Sequence, residues 1–402
     1  MKKQIVIAAV LVSLFVLPGC KRHFLPVIKN IDTYEVIRVL GIDKNRGNPE
    51  KIDVTFMAEL PRPSSRSETS GSVSTSYEMT TVTADSVFEA VRNLNLHDDK
   101  THHLGYVDFL VIGEDAARDD LTKYVDFITR DNDLRVSARF FIARDTSAKE
   151  FLKRTTSTGK FIADTFESFE FVINDLSSSR FLNCIDLINM LDNKKAAAII
   201  PAVKCEKYED EQLFGGELPE CEPMPCGYAV LKDGALLGYL DPEYSRGYNF
   251  LTKRVYSSPV NVTDMYGSLV ALEIINSQLK TKTHFEGDTL TGVTYEIRVQ
   301  ANFAEQHSRN YLFDERGISD LCEKLSSVIL DETSEVIKRS MEYGLDCTGL
   351  GGQIRLRHPL KWDRMKNSWD ELYSTLKIDV TVDSNIARVY DLREPNGSER
   401  SY

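Results

Sequence analysis

The sequence predicts an α+β protein with several domains. Short strand-like and helix-like segments alternate through the first half of the chain. Two long strand patterns and one long amphipathic helix fill the last third. A chain of 402 residues also exceeds one ordinary domain, so two or three follow.

The N-terminus stands apart from this body. Lys2 and Lys3 precede an apolar run from Ile5 to Leu17, which Pro18, Gly19 and Cys20 close. A helix that spans a bilayer needs about 20 apolar residues, so the run reads as the core of a signal peptide. Positive charge before it holds that end in the cytoplasm and sends the remainder outward. The closing LPGC resembles the lipobox of bacterial lipoproteins. Cys20 would then receive a diacylglyceryl group on sulfur and become the first residue after cleavage. The other reading is an ordinary cleaved signal with a cysteine nearby. Each buried CH₂ contributes about 0.8 kcal/mol, and two acyl chains hold stably where one holds marginally.

YEVIRVLGIDK (34–44) and KIDVTFMAEL (51–60) read as a hairpin turning through NRGNP. The Ser/Thr-rich stretch 62–76 reads as a flexible connection or an exposed hairpin tip. Residues 84–94 have helical spacing, 106–113 form a strand, and 114–130 form one helix opened by acids that suit its N-terminus. A strand at 136–144 and helices at 147–155 and 161–176 follow. The Gly- and Pro-rich run 213–227, after AAAIIPAVK (196–204), reads as a loop and a domain boundary. GYAVLKDGALLGYLD (227–241) is a hairpin turning at Asp233-Gly234, a pair that favours a type I′ turn. Long strands at 268–287 and 290–306 precede a helix at 318–344 about 40 Å long. Its Ile318, Leu321, Leu325, Val328, Ile329, Val336 and Ile337 share one face. Residues 377–391 complete the sheet that this face needs. The expected organisation is a signal peptide (1–19), an N-terminal mixed α/β domain (20–206), a small middle domain with the hairpin (207–258), a C-terminal sheet-plus-helix domain (259–392) and a disordered tail (393–402).

Hydrophobic content of 42% and charged content of 27% are those of a globular chain. Net charge is −12, and about −14 once Lys2 and Lys3 leave with the signal. That argues against nucleic acid, which requires basic patches, and against electrostatic adhesion to anionic lipid. Cys184, Cys205, Cys221, Cys226, Cys322 and Cys347 permit disulfides outside the membrane, among them a local Cys221–Cys226 bridge or one to Cys205. Free buried thiols are the reading the sequence favours, and no pairing follows from it.

Hydrolase elbow, zincin, Walker and dinucleotide-binding patterns are absent from the sequence. HDDKTHH, with His97, Asp98, Asp99, His102 and His103, offers divalent-metal ligand types but falls in a polar connection. GLGG (349–352), beside an Arg-rich strand, reads as a turn. Tyr244, Tyr248 and Phe250 suit either a partner surface or core packing.

Three further stretches carry a resemblance. FEAVRNLNLHDDKTHHLGYVDFLVIGEDAARDDLTKYVDFITRDNDLR (88–135) contains an "IGE..A" sequence and a following R-D. GYAVLKDGALLGYLDPEYSRGYNFLTKRV (227–255) contains Ala229, Val230, Lys232, Leu237, Gly238, Leu240, Glu243, Arg246 and Gly247 at characteristic spacing. YGLDCTGLGGQIRLRHPLKWDRMKNSWDELY (343–373) contains Asp346, Gly349, Gly351, Pro359 and Trp362. With the lipobox, these resemble the Ger(x)C family, the lipoprotein C subunits of spore germinant receptors, in order along nearly the whole chain. Leu231 stands where a phenylalanine is expected, and Tyr106 where His is frequent. The resemblance implies a three-domain lipoprotein on the outer face of the spore inner membrane. It also implies integral-membrane A-type and B-type partner subunits, no cofactor or metal, and no catalytic residues. The competing classes are an extracytoplasmic solute-binding lipoprotein of a transporter and a lipid-anchored hydrolase. The long C-terminal strands fit the first poorly, and the second lacks a nucleophile with partners.

Overall fold

A computed structural model of the chain describes residues 34–60, 77–96, 100–131, 133–156, 161–207 and 220–389. β1 (Tyr34–Lys44) and β2 (Ile52–Glu59) form the first hairpin, with Leu40 opposite Phe56 and Ile42 opposite Val54. Asn45 sets the turn, its Oδ1 accepting the N–H groups of Gly47 and Asn48. β3 (Tyr77–Ala84) pairs antiparallel with β2; the Ser/Thr-rich stretch before it lies outside the described residues. β4 (Thr101–His103) and β5 (Phe109–Gly113) run parallel to β1. β6 (Arg139–Ala143) and β7 (Ala198–Glu206) extend the parallel centre, and β8 (Glu222–Lys232) and β9 (Ala235–Leu240) close the edge antiparallel. Among the described residues this sheet has nine strands.

Among the described residues six α-helices connect them: α1 (Val87–Leu94), α2 (Glu114–Asp119), α3 (Thr122–Arg130), α4 (Ala148–Thr155), α5 (Ile162–Leu176) and α6 (Cys184–Asp192). Ser86, Ser147 and Asn183 cap α1, α4 and α6 by accepting the N–H three residues on. α1, α2, α3 and α6 pack on one sheet face, and α4 and α5 on the other. Layers on both faces explain why every residue of β5 is buried and its sequence shows no alternation. The single helix expected over 114–130 is two helices. Asp120 adopts an extended conformation, its Oδ1 accepts the Thr122 N–H and hydroxyl, and the Leu121 N–H donates to Gly234 O.

The second sheet has the order β10 (Ser258–Thr263), β11 (Leu269–Glu286), β12 (Thr289–Gln306), β13 (Lys377–Val389), the last pair parallel. α7 (Pro242–Leu251) leads into it from the first sheet, and α8 (Glu315–Glu342) packs its Leu321, Leu325, Ile329 and Val336 on it. Three short helices return the chain to β13: α9 (Leu350–Arg357), α10 (Pro359–Met365) and α11 (Trp369–Thr375). The Arg-rich stretch after GLGG is therefore helix, not strand.

The described part of the loop expected at 213–227 is strand from Glu222 onward. Pro223 and Pro225 are tolerated there because β9 reaches only as far as Tyr228, leaving that part of β8 paired on one side alone. A Cys205–Cys221 disulfide spans the β7–β8 connection, while Cys184, Cys226, Cys322 and Cys347 are unpaired. The hairpin at 227–241 turns at Asp233 and Gly234, both at positive φ, and belongs to the first sheet. Ile199, Tyr228 and Val230 from that sheet share one apolar core with Val270, Val293 and Ile329, so a common core joins the two halves.

Candidate functional site

Cys20 lies outside the described residues, as do His97, Asp98 and Asp99. The other two histidines of HDDKTHH point to different tasks. The side chain of His102 is buried, with Nε2 on Glu35 at 3.0 Å and Nδ1 on Asn95 at 3.1 Å, so both ring nitrogens are occupied. His103 accepts the Gly105 N–H and packs edge-on against Tyr106. Among the described residues no group of three His, Cys, Asp or Glu side chains converges on a metal position. Tyr248 and Phe250 are buried and Tyr244 packs against the core, which settles their ambiguity in favour of packing. Burial pushes the thiols of Cys347 and Cys226 up to about 12, so they stay protonated and unreactive at neutral pH.

The residues of the three resembling stretches form joints. In the first, the Gly113 Cα lies against Asp43, where a Cβ would come within 2.0 Å of the carboxylate. Asp43 Oδ1 and Oδ2 accept the N–H groups of Ala148 and Lys149 at 2.6 and 2.8 Å, holding the start of α4. Burial raises its pKa to about 6, the two N–H groups opposing part of that rise. Glu114 accepts the Asp145 N–H and the Tyr239 hydroxyl, which ties α2 to β9.

In the second, Gly247 lets α7 cross α8 closely, since a Cβ there would lie 2.4 Å from Glu332 O. Arg246 forks onto both carboxylate oxygens of Glu332 beside that crossing. Gly238 leaves room for the Tyr343 hydroxyl. In the third, Asp346 is buried and accepts the N–H groups of Leu350 and Gly351, at the first turn of α9. Gly349 takes the left-handed conformation before that turn, and Gly351 makes space for Trp362 and Trp369. Pro359 opens α10, where its missing N–H costs nothing.

One cleft was not legible as a pattern. It lies between the halves, about 540 Å³ in volume, with walls from α6, the end of α7, β11 and α9. Its apolar lining includes Met190, Leu251 and Leu279. Its charged lining is Arg180, Lys253, Arg254 and Arg357 against one acid, Asp186. Arg180, Lys253 and Arg254 also line a second hollow of about 550 Å³ that adjoins it. Arg180 is 7% exposed; its Nη2 donates to Ile199 O at 3.1 Å, and its guanidinium lies 5.7 Å from the Tyr248 ring centroid. Nε is buried without an acceptor, and no carboxylate among the described residues forms an ion pair with Arg180. In sequence Arg180 sits singly after three serines, and Lys253-Arg254 is an ordinary basic pair. Only the fold brings them together.

Known proteins share this arrangement along the chain. A family profile described as spore germination protein N-terminal domain matches residues 28–205, and one described as spore germination B3/GerAC like, C-terminal, matches 226–390. Spore germination protein KC of Bacillus subtilis (strain 168) is 20% identical over 400 residues, covering 96% of this chain and 96% of its own. Spore germination protein B3 of the same organism is 22% identical over 360 residues, covering 86% and 89%. The crystal structure of the GerBC protein has the same fold, with a TM-score of 0.54 at 18% identity over 87% of this chain and 97% of that one. With both profiles matched in order and the fold shared, the chain belongs to the Ger(x)C family of spore germination proteins.

Proposed function

We propose that this chain is the lipid-anchored, non-catalytic C subunit of a spore germinant receptor, required for the response to nutrient. The observation that carries the reading is family likeness over nearly the full length, in relatives named for spore germination. Its place is the outer surface of the spore inner membrane, held there by diacylglyceryl-Cys20. No helix among the described residues is long and apolar enough to cross a membrane, which accords with anchoring by lipid. Its partners are integral-membrane A-type and B-type subunits. Confinement to one surface raises its effective concentration around them, so a modest interface suffices.

Affinity purification from detergent-solubilised spore inner membranes tests the partners. Recovery with two polytopic subunits is expected; recovery alone, or with transporter components, would overturn the assignment. The anchor has its own test. Cys20→Ala should accumulate as uncleaved precursor that takes up no radiolabelled palmitate, and undiminished labelling would remove Cys20 from the scheme.

A further inference from the structure

We propose that the cleft between the two sheets binds a small organic anion, a carboxylate carried on an apolar body, with Arg180 as its principal ligand. A guanidinium nine-tenths buried with no ion-pair partner is a costly arrangement, because desolvating a charge is offset only by a partner that satisfies it. Arg180 has the Ile199 carbonyl and the Met190 thioether on Nη2 and nothing on Nε, so its positive charge lacks an anionic counterpart among the described residues. A carboxylate in the cleft would supply that counterpart with charge-assisted hydrogen bonds.

The surroundings point the same way. Four cations against one acid line the cleft of a chain whose net charge is −12, so the local positive field is a feature of this place and not of the composition. Lys253 and Arg254 are exposed at the rim, where they would draw an anion in and then close over it. Met190, Leu251 and Leu279 give the cleft an apolar wall, which an inorganic ion would leave unused. The volume suits a small molecule rather than a peptide segment. A site walled by both halves would also favour the arrangement in which those halves are held together.

The test uses the full-length protein in detergent, with sodium benzoate as probe and benzamide and inorganic phosphate as comparisons, at ionic strength held constant with chloride. Equilibrium dialysis should show saturable benzoate binding that is at least tenfold tighter than that of benzamide and of phosphate. Arg180→Gln should weaken benzoate at least tenfold, as loss of a hydrogen bond to a charged group does. Should Arg180→Gln fail to fold, the exposed pair Lys253→Gln/Arg254→Gln decides, with an expected loss of at least threefold and an unchanged melting temperature. No saturable benzoate binding, equal binding of benzamide or phosphate, or undiminished binding in the variant that folds would each overturn the proposal. Failure here leaves the receptor assignment standing, because that assignment rests on co-purification.

Discussion

Single residues in this fold act through groups far away in sequence, and Asp43 shows how. It sits at the end of β1, yet its carboxylate accepts two N–H groups from the start of α4, more than a hundred residues on. Those bonds favour the ionised form, but burial disfavours it more strongly and sets the pKa at about 6, against 3.8 for the free side chain. The folded value lies above the unfolded one. The group's contribution to stability is therefore fully present below pH about 4 and is lost as the pH rises to about 6 and beyond. A shift of that size corresponds to about 3 kcal/mol. Urea melts of the wild type and of Asp43→Asn, at pH 4 and pH 7, should show a difference between the proteins that changes by about 2–3 kcal/mol in the variant's favour at the higher pH. The wrong hydrogen-bonding pattern of an asparagine there is present at both pH values and cancels. A difference independent of pH would mean that Asp43 titrates normally in the fold.

At the scale of elements, the controlling contact is the crossing of α7 over α8. Gly247 places backbone against backbone there, and Arg246 clamps Glu332 beside it. Gly247→Ala would drive a Cβ into Glu332 O, and neither helix backbone can yield without disturbing the core beneath. An overpacked site of this kind costs about 1–3 kcal/mol. Arg246→Met would leave a partly buried carboxylate uncompensated, for a loss of similar size. Thermal melts should show both variants lowered, and an unchanged midpoint for Gly247→Ala would mean that the helices lie farther apart. Much at this scale was legible. The alternation of Leu269–Glu286 and Thr289–Gln306, the one-sided stripe on α8 and the Asp233-Gly234 turn all declare themselves in the residues. What was hidden depends on contacts distant in sequence. The break at Asp120 follows from a bond between Leu121 and Gly234, and the strand through Pro223 and Pro225 from where β9 stops. The cleft was hidden for the same reason: Arg180, Lys253, Arg254 and Arg357 share no spacing, only a place.

For the whole molecule, the question is whether two sheets behave as one body. The segment 207–258, expected as a small middle domain, divides its parts between them: its hairpin completes the first sheet and its α7 rests on α8 of the second. Polar ties reinforce the shared core. Asn249, fully buried on α7, donates its Nδ2 to Ser177 O at the end of α5 and accepts the Tyr228 hydroxyl from β8. Ser258 donates to Leu176 O, and the Ala197 N–H donates to Asp346 O. Halves joined by common apolar residues and buried hydrogen bonds should unfold together, since exposing one strips the core of the other. Both tryptophans, Trp362 and Trp369, lie in the C-terminal half, so their fluorescence reports that half, while far-UV circular dichroism also weighs the helices of the first sheet. In urea the two signals should share one midpoint. Asn249→Ala should lower that midpoint for both by the same amount, about 2–4 kcal/mol, because it strands the Tyr228 hydroxyl and Ser177 O in the interior. Separate midpoints in the wild type would show two independently stable bodies. A shift in one signal alone would place Asn249 within a single half, and the cleft would then lie between parts free to move against each other.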